Sequence, residues 1–332
     1  MSDGSGMARV SSALRLNTSY EVNATGALPP TFDYVDRIQS CGSDERKVEL
    51  YDEHMDFLRL IHKTAGELIN WSQLAVVIDP AAPTPDTEAT NRARIEKDRY
   101  IPGLMDTLLF RSGRKQQELA DLLRKAESRD AERNKIAMDK WQDFCSHCEA
   151  MRKMARNVLT KDVTAWAKAL SLLRPFNALI GVVKNANVTW ESNDRGVITI
   201  LVDTENLVPV EVLTLTKRGK LSVKSMAQKQ RWEFLEDVIC AIAIRAAREL
   251  FMALPARSVI VNCVTKGINS ETGRMTEVNV LSIYYRRDEF LELGFDNLDP
   301  SDSFRNFRHN KEFKRGEGFR PVERVTITND LI

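Results

Sequence analysis

At 332 residues, with 43% hydrophobic and 29% charged side chains and a net charge of +1, the chain has the composition of a soluble globular protein, one large domain or two of ordinary size. So small a net charge excludes a general electrostatic pull towards nucleic acid or membrane, and any such attraction has to be local. No apolar run approaches the roughly 20 residues of a membrane span, and the start MSDGSGMARVSS lacks the apolar core of a secretory signal.

Residues 1–42, rich in Ser, Thr, Asn and Gly, read as a mobile N-terminal arm, in which 13–16 could pair as a short strand. Beyond it Val48, Tyr51, Met55, Leu58, Ile61 and Leu68 recur at three- and four-residue steps, predicting an amphipathic helix over 43–71. Three prolines in DPAAPTPDTEA set an extended connector. Helix resumes near Thr87 and is interrupted at Pro102-Gly103. The stretch 112–157 has no proline and carries a stripe of Leu119, Leu122, Ile136, Trp141, Phe144, Cys148 and Met151 among charged residues. It reads as one long helix, folded back on 43–71 to make a charged helical hairpin within 43–160. Polar residues at 128–133 interrupt the stripe, which argues against a sustained coiled-coil dimer.

Past a shorter helix over 163–173 the period changes. Segments 188–190, 197–202, 210–216, 259–264 and 278–284 are β-rich, with a helix over 232–254 between the third and fourth. Ile198, Ile200 and Val202 fall on one face and Val197 and Leu201 on the other, predicting a strand buried on both sides. Between 238 and 247 the helix is apolar almost all round, predicting a buried central helix. NSETG at 269–273 reads as a hairpin turn. Asp299 and Pro300 read as the cap and first turn of a helix, and the tail holds one more strand. The expected fold class is α+β, or α/β: an N-terminal charged helical hairpin, then a mixed β-sheet domain over 163–328 with a buried central helix.

Three groups of residues carry candidate chemistry. Asp203, Glu205 and Glu211 lie at strand ends, where gathered carboxylates make a hard-oxygen site for a divalent ion that activates water at a phosphate. The order helix, strand, strand ending in Asp203, strand bearing Glu211, helix, strand over 163–265 resembles the core of the PD-(D/E)xK, or restriction-endonuclease-like, superfamily. That resemblance implies Mg²⁺ held by Asp203 and Glu211, a lysine beside the attacked phosphate, and either a nuclease or a degenerate DNA-binding relative. The lysine position of the motif is Leu213 here, so Lys217 or Lys220 would have to take its place. With a four-residue turn at 205–208, Asp203 and Glu211 point to opposite faces; a turn one residue longer or shorter restores a common face.

The second group is basic. Lys217, Arg218, Lys220, Lys224, Lys229 and Arg231 occur with no acid among them, and the tail adds Arg305, Arg308, Lys311, Lys314, Arg315, Arg320 and Arg324 interleaved with Phe304, Phe307, Phe313 and Phe319. Cations at this density can track phosphates while aromatics stack on bases, although the spacing of Phe304 and Phe307 behind a helix cap points them to the core. The third group is Cys145-Ser146-His147-Cys148. Zinc would need a second ligand pair, which the sequence lacks, and on a helix Cys148 simply continues the apolar stripe.

No Walker loop, GxGxxG or hydrolase triad appears, and five scattered cysteines fit a reducing compartment. The tail phrase Leu298-Asp299-Pro300-Ser301-Asp302-Ser303-Phe304 and the segment Leu215-Thr216-Lys217-Arg218-Gly219-Lys220-Leu221-Ser222 resemble uncharacterised bacterial proteins, which implies a bacterial origin and no particular chemistry. The expected function is a non-catalytic cytoplasmic interaction protein. It recruits a protein through the helical hairpin or a nucleic acid through the 217–231 loop, with no membrane partner and no cofactor. The rival is the Mg²⁺-dependent nuclease.

Overall fold

The computed structural model describes residues 34–103, 111–268 and 273–327. The expected arm up to residue 33, with its candidate strand at 13–16, and most of the NSETG turn lie outside the described residues. In chain order the helices are α1 (Tyr34–Ser40), α2 (Asp44–Leu60), α3 (Trp71–Leu74), α4 (Glu88–Arg99), α5 (Arg111–Leu159) and α6 (Val163–Leu173), followed later by α7 (Gln228–Ala253), α8 (Arg287–Leu291) and α9 (Pro300–Ser303). The strands are β1 (Val183–Ser192), β2 (Arg195–Val202), β3 (Glu211–Leu215), β4 (Leu221–Ser225), β5 (Ser258–Ile268), β6 (Met275–Arg286), β7 (Arg308–Lys314) and β8 (Gly318–Arg320). Two compact units result, a helical one of residues 70–156 and an α+β one of the remaining described residues.

The α+β unit is built on a six-stranded mixed sheet in the order β1-β2-β5-β6-β7-β8. Its one parallel pair is β2 with β5, and the connection between them runs through α7, as parallel neighbours require. One face of the sheet presents Ile198, Ile200, Val202, Val259, Val261 and Cys263, all buried. α7 packs there. Its small residues Ala241, Ala243, Ala246 and Ala247 leave no exposed side in mid-helix, as the sequence predicts. The approach is close: a Cβ on Gly196 would stand 2.9 Å from Leu250.

The strand buried on both sides is β5, whereas β2 alternates buried and half-buried. This corrects the expectation for 197–203. Over β5 and β6 the second face is covered in part by the segment 321–327, which also reaches β7, where Asn310 Nδ2 donates to the Glu323 carbonyl at 3.0 Å. There Val322 N donates to the Asn279 carbonyl at 2.8 Å and Val325 N to Ser282 Oγ at 2.8 Å. Ser282 Oγ in turn donates to Asn262 Oδ1 at 2.7 Å, whereas Asn279 Oδ1, next to the segment, is buried without a hydrogen-bond partner among the described residues.

β3 and β4 leave the main sheet altogether and form a two-stranded sheet of their own. Leu213 on β3 packs with Tyr51 and Met55 of α2, and Val212, Leu221 and Phe234 close round them. The apolar face expected over 43–71 is thus spent inside the α+β unit. Helix α2 ends at Leu60, and the segment after it runs along α7, where Ile69 N donates to the Met252 carbonyl at 3.0 Å. α1 occupies the end of the expected arm.

In the helical unit a charged hairpin is present, but its second arm is 77–99 in place of 43–71. The two arms run antiparallel. Arg152 bonds the Val77 carbonyl at 2.9 Å and Asp79 at 2.8 Å, Trp141 Nε1 donates to the Pro80 carbonyl at 2.9 Å, and Asn134 and Asp86 exchange bonds at 2.7 and 2.9 Å. The polar interruption at 128–133 has a structural use. Buried Asp130 accepts from Thr90 N at 2.7 Å in the first turn of α4, where a carboxylate meets the helix dipole. Those Thr90 hydrogen bonds hold its carboxyl below the usual range.

Candidate functional site

Asp203 closes β2 and caps the turn that follows. Its carboxylate accepts from Asn206 N at 3.2 Å and Asn206 Nδ2 at 3.0 Å, and Lys184 Nζ stands 3.6 Å away. Partial burial pushes its pKa up, but the Asn206 bonds and the Lys184 charge outweigh that and hold the carboxyl below its ordinary value. Glu205 is exposed in the same turn. Glu211 begins β3, exposed and in register with Ser225 of β4.

Asp203 and Glu211 therefore stand in different sheets, not on neighbouring strands of one. Leu213, at the lysine position of the PD-(D/E)xK pattern, is a buried anchor of β3 on α2. Among the described residues no three His, Cys, Asp or Glu side chains gather as a metal-holding group.

The basic residues divide sharply. Lys217, Arg218 and Lys220 form the exposed β3–β4 turn, which Thr216 organises. Thr216 N and Oγ1 both donate to the Lys220 carbonyl, at 2.8 and 3.1 Å, and Thr216 Oγ1 accepts from Lys220 N at 3.1 Å. Gly219 sits at φ +74°, a conformation its missing Cβ permits. Lys224 lies exposed on β4, pointing away from the Leu213 face by strand alternation, and Lys229 is exposed in the first turn of α7. None of these five cations makes an ion pair among the described residues.

Arg231 is different. Its guanidinium donates to the Val208 carbonyl at 3.2 Å and to the Glu205 carbonyl, clamping the 203–208 turn to α7, and it lies 5.7 Å over the Trp232 ring. It belongs to the scaffold. The fold also brings acids that the local sequence lacks: Asp44 Oδ2 accepts from Leu221 N at 2.9 Å, and Glu45 stands beside Gly219.

The tail cations are mostly neutralised. Lys311 pairs with Glu236 at 2.7 Å, Arg320 with Glu317 at 2.7 Å, Arg315 with Glu233 at 3.4 Å and Arg305 with Asp302 at 3.4 Å. Phe304 and Phe307 are buried around Tyr285, with ring centroids 6.4 and 4.8 Å from it, so neither can stack on a base. Asp299 caps α9 through Asp302 N, as read from the sequence. In the helical unit Cys148 is buried and Cys145 half-buried, and burial pushes both thiols up; His147 between them is exposed.

One surface feature was missed. The uncovered part of the sheet's second face forms an open concavity of about 320 Å³, with Asn185, Asn187 and Thr189 of β1, Thr199 and Leu201 of β2, and Arg324 from the crossing segment on its walls. The alternation N-A-N-V-T-W in 185–190 marks that polar face and could have revealed it. No described helix is long and apolar enough to cross a membrane. No protein-family model, no curated protein and no solved structure matches the chain.

Proposed function

We propose that the chain is a non-catalytic interaction protein of the cytoplasm and that its β3–β4 hairpin, which carries Lys224 and is extended by Lys229, docks on the backbone of a nucleic acid. One observation carries this reading: four exposed cations on a hairpin separate from the main sheet, and Lys229 just after it, make no ion pair among the described residues, while five of the tail cations are tied to acids. Unpaired lysines and arginines on a protruding turn keep their counterions labile, and releasing counterions from a phosphate backbone is what drives such binding. Nothing on the hairpin presents a base-reading aromatic, so the contact is with phosphates and indifferent to sequence. Asp44 and Glu45 limit its strength.

The nuclease reading has less to stand on, since its two carboxylates belong to different sheets and its lysine position is core.

Fluorescence anisotropy with single- and double-stranded DNA and RNA tests the proposal. Four to five phosphate contacts give a slope of log affinity against log salt of about −3 on single strands to about −4.5 on duplex DNA. Replacing Lys217, Arg218 and Lys220 by Glu removes about 2–3 from that slope and most of the affinity. Absence of binding at low salt, or binding untouched by the triple variant, refutes it.

A further inference from the structure

The main sheet has two edges of different character. β8 is three residues long and carries Arg320 tied to Glu312 and Glu317, a short charged end of the kind that discourages strand addition. β1 is ten residues long and, apart from a bridge between Val183 and Ile180 at its start, pairs among the described residues with β2 alone. Its central residues 185–190 contain no charge, proline or glycine. The β1–β2 ladder is regular over those residues, with shifts only between Val183 and Asn185 and between Trp190 and Ser192. Alternate residues of this straight stretch therefore aim backbone N–H and C=O groups outward with no partner among the described residues.

We propose that β1 is a self-association edge, on which a second copy of the chain pairs its own β1 antiparallel about a two-fold axis at Val188. Residues opposed in an antiparallel pair share a face, so the axis must pass through a residue and not between two. An axis at Asn187 sets Trp190 against Lys184 and Val183 against Glu191. At Val188 it sets Val188 against itself, Ala186 against Trp190 and Asn187 against Thr189, while Glu191 meets Asn185 and Lys184 meets Ser192. Small then faces large on the side where Trp190 lies 4.9 Å from Trp166, edge to face. On the open side an amide faces a hydroxyl. No like charges are opposed. Such self-complementarity is what an isologous interface needs, and it names a second copy as the occupant.

Sedimentation equilibrium of the full chain from low to high micromolar concentration tests this. The mass is expected to double across the series. Asn187→Lys with Thr189→Lys opposes like charges at two symmetric places and weakens the dimer about tenfold or more, with the melting temperature unchanged at concentrations low enough to keep both chains monomeric, because both positions are exposed. Asn187→Lys with Thr189→Glu opposes unlike charges and restores the dimer. A monomer at every concentration overturns the proposal, as does a dimer indifferent to both double variants. Dimerisation seen only after removal of residues 1–33 would assign the edge to that segment and overturn it equally.

Discussion

Arg245→Met isolates the buried polar network beneath α7. Arg245 and Glu249 are both buried, one helical turn apart, and the guanidinium holds the carboxylate at 2.7 Å through Nε. The same guanidinium reaches the Thr64 carbonyl and hydroxyl and, at 3.4 Å, the Ile61 carbonyl, while Glu249 accepts from Gly66 N at 3.2 Å. The pair thus ties the segment after α2 to α7. Removing the cation leaves a buried carboxylate with one N–H partner, and breaking a buried pair from one side costs about 3–5 kcal/mol. Burial already holds the Glu249 carboxyl above its usual range, against the opposing pull of Arg245 and Gly66. Without Arg245 its folded-state pKa rises further. A raised folded pKa favours the fold below it and penalises the fold above it, so the variant regains stability as pH falls, by at most about 1.4 kcal/mol for each pH step of one. Urea unfolding followed by circular dichroism should therefore show a loss of about 3–5 kcal/mol at pH 7.5 and about 1–2 less at pH 5. Arg245→Met with Glu249→Leu orphans only the Gly66 N–H and the Thr64 and Ile61 acceptors, so it should cost less than the single change. A single-variant loss under about 1 kcal/mol, or a double variant worse than the single, refutes the reasoning.

Three further outcomes are expected. His62 is buried, and burial with the charges of Lys63 and Arg248 holds its pKa down; burial does the same for His54. Both refuse protons that the unfolded chain accepts below about pH 6.5, so the melting temperature should fall as pH drops from 7.5 to 5.5. His62→Phe should flatten that fall, and an unchanged slope refutes it. A Cβ on Gly318, at φ +88°, would stand 2.8 Å from the Trp232 ring, so Gly318→Ala should cost about 2–4 kcal/mol in urea unfolding, and a neutral result refutes the close packing. Incubation with Mg²⁺ or Mn²⁺ should leave DNA and RNA intact for the natural chain and Asp203→Ala alike; cleavage that disappears in the variant would reinstate the nuclease.

What could be read from the sequence was what local pattern decides. The all-round apolarity of 238–247, the cap at Asp299 and the β-rich segments from 188 to 284 each depend on residues a few positions apart, and each is found in the fold. What could not be read was pairing. Stretches 197–202 and 259–264 are apolar on both faces, and only strand order decides that β5 has neighbours and cover on every side while β2 does not. The stripe on 112–157 needs a partner, and its polar lapse gave no sign that Asp130 would meet the start of α4. Lys217 and Arg231 look alike in a run of cations, yet one is free and the other fastens a turn, because Arg231 falls next to carbonyls contributed by residues 205 and 208.

One topological decision underlies both surfaces proposed for binding. Had β3 joined the main sheet beside β2, the basic turn would lie against the sheet and β1 could not border β2 on that side. Instead the alternate residue Leu213 finds Tyr51 and Met55 on α2, and β3 turns away to pair, among the described residues, with β4 alone. β2 is then left between β5 and β1, which makes β1 an edge. Leu213→Lys, which would recreate the PD-(D/E)xK spacing, puts an ammonium into that apolar cluster. It should loosen the hairpin from α2 long before it could assist any phosphate chemistry.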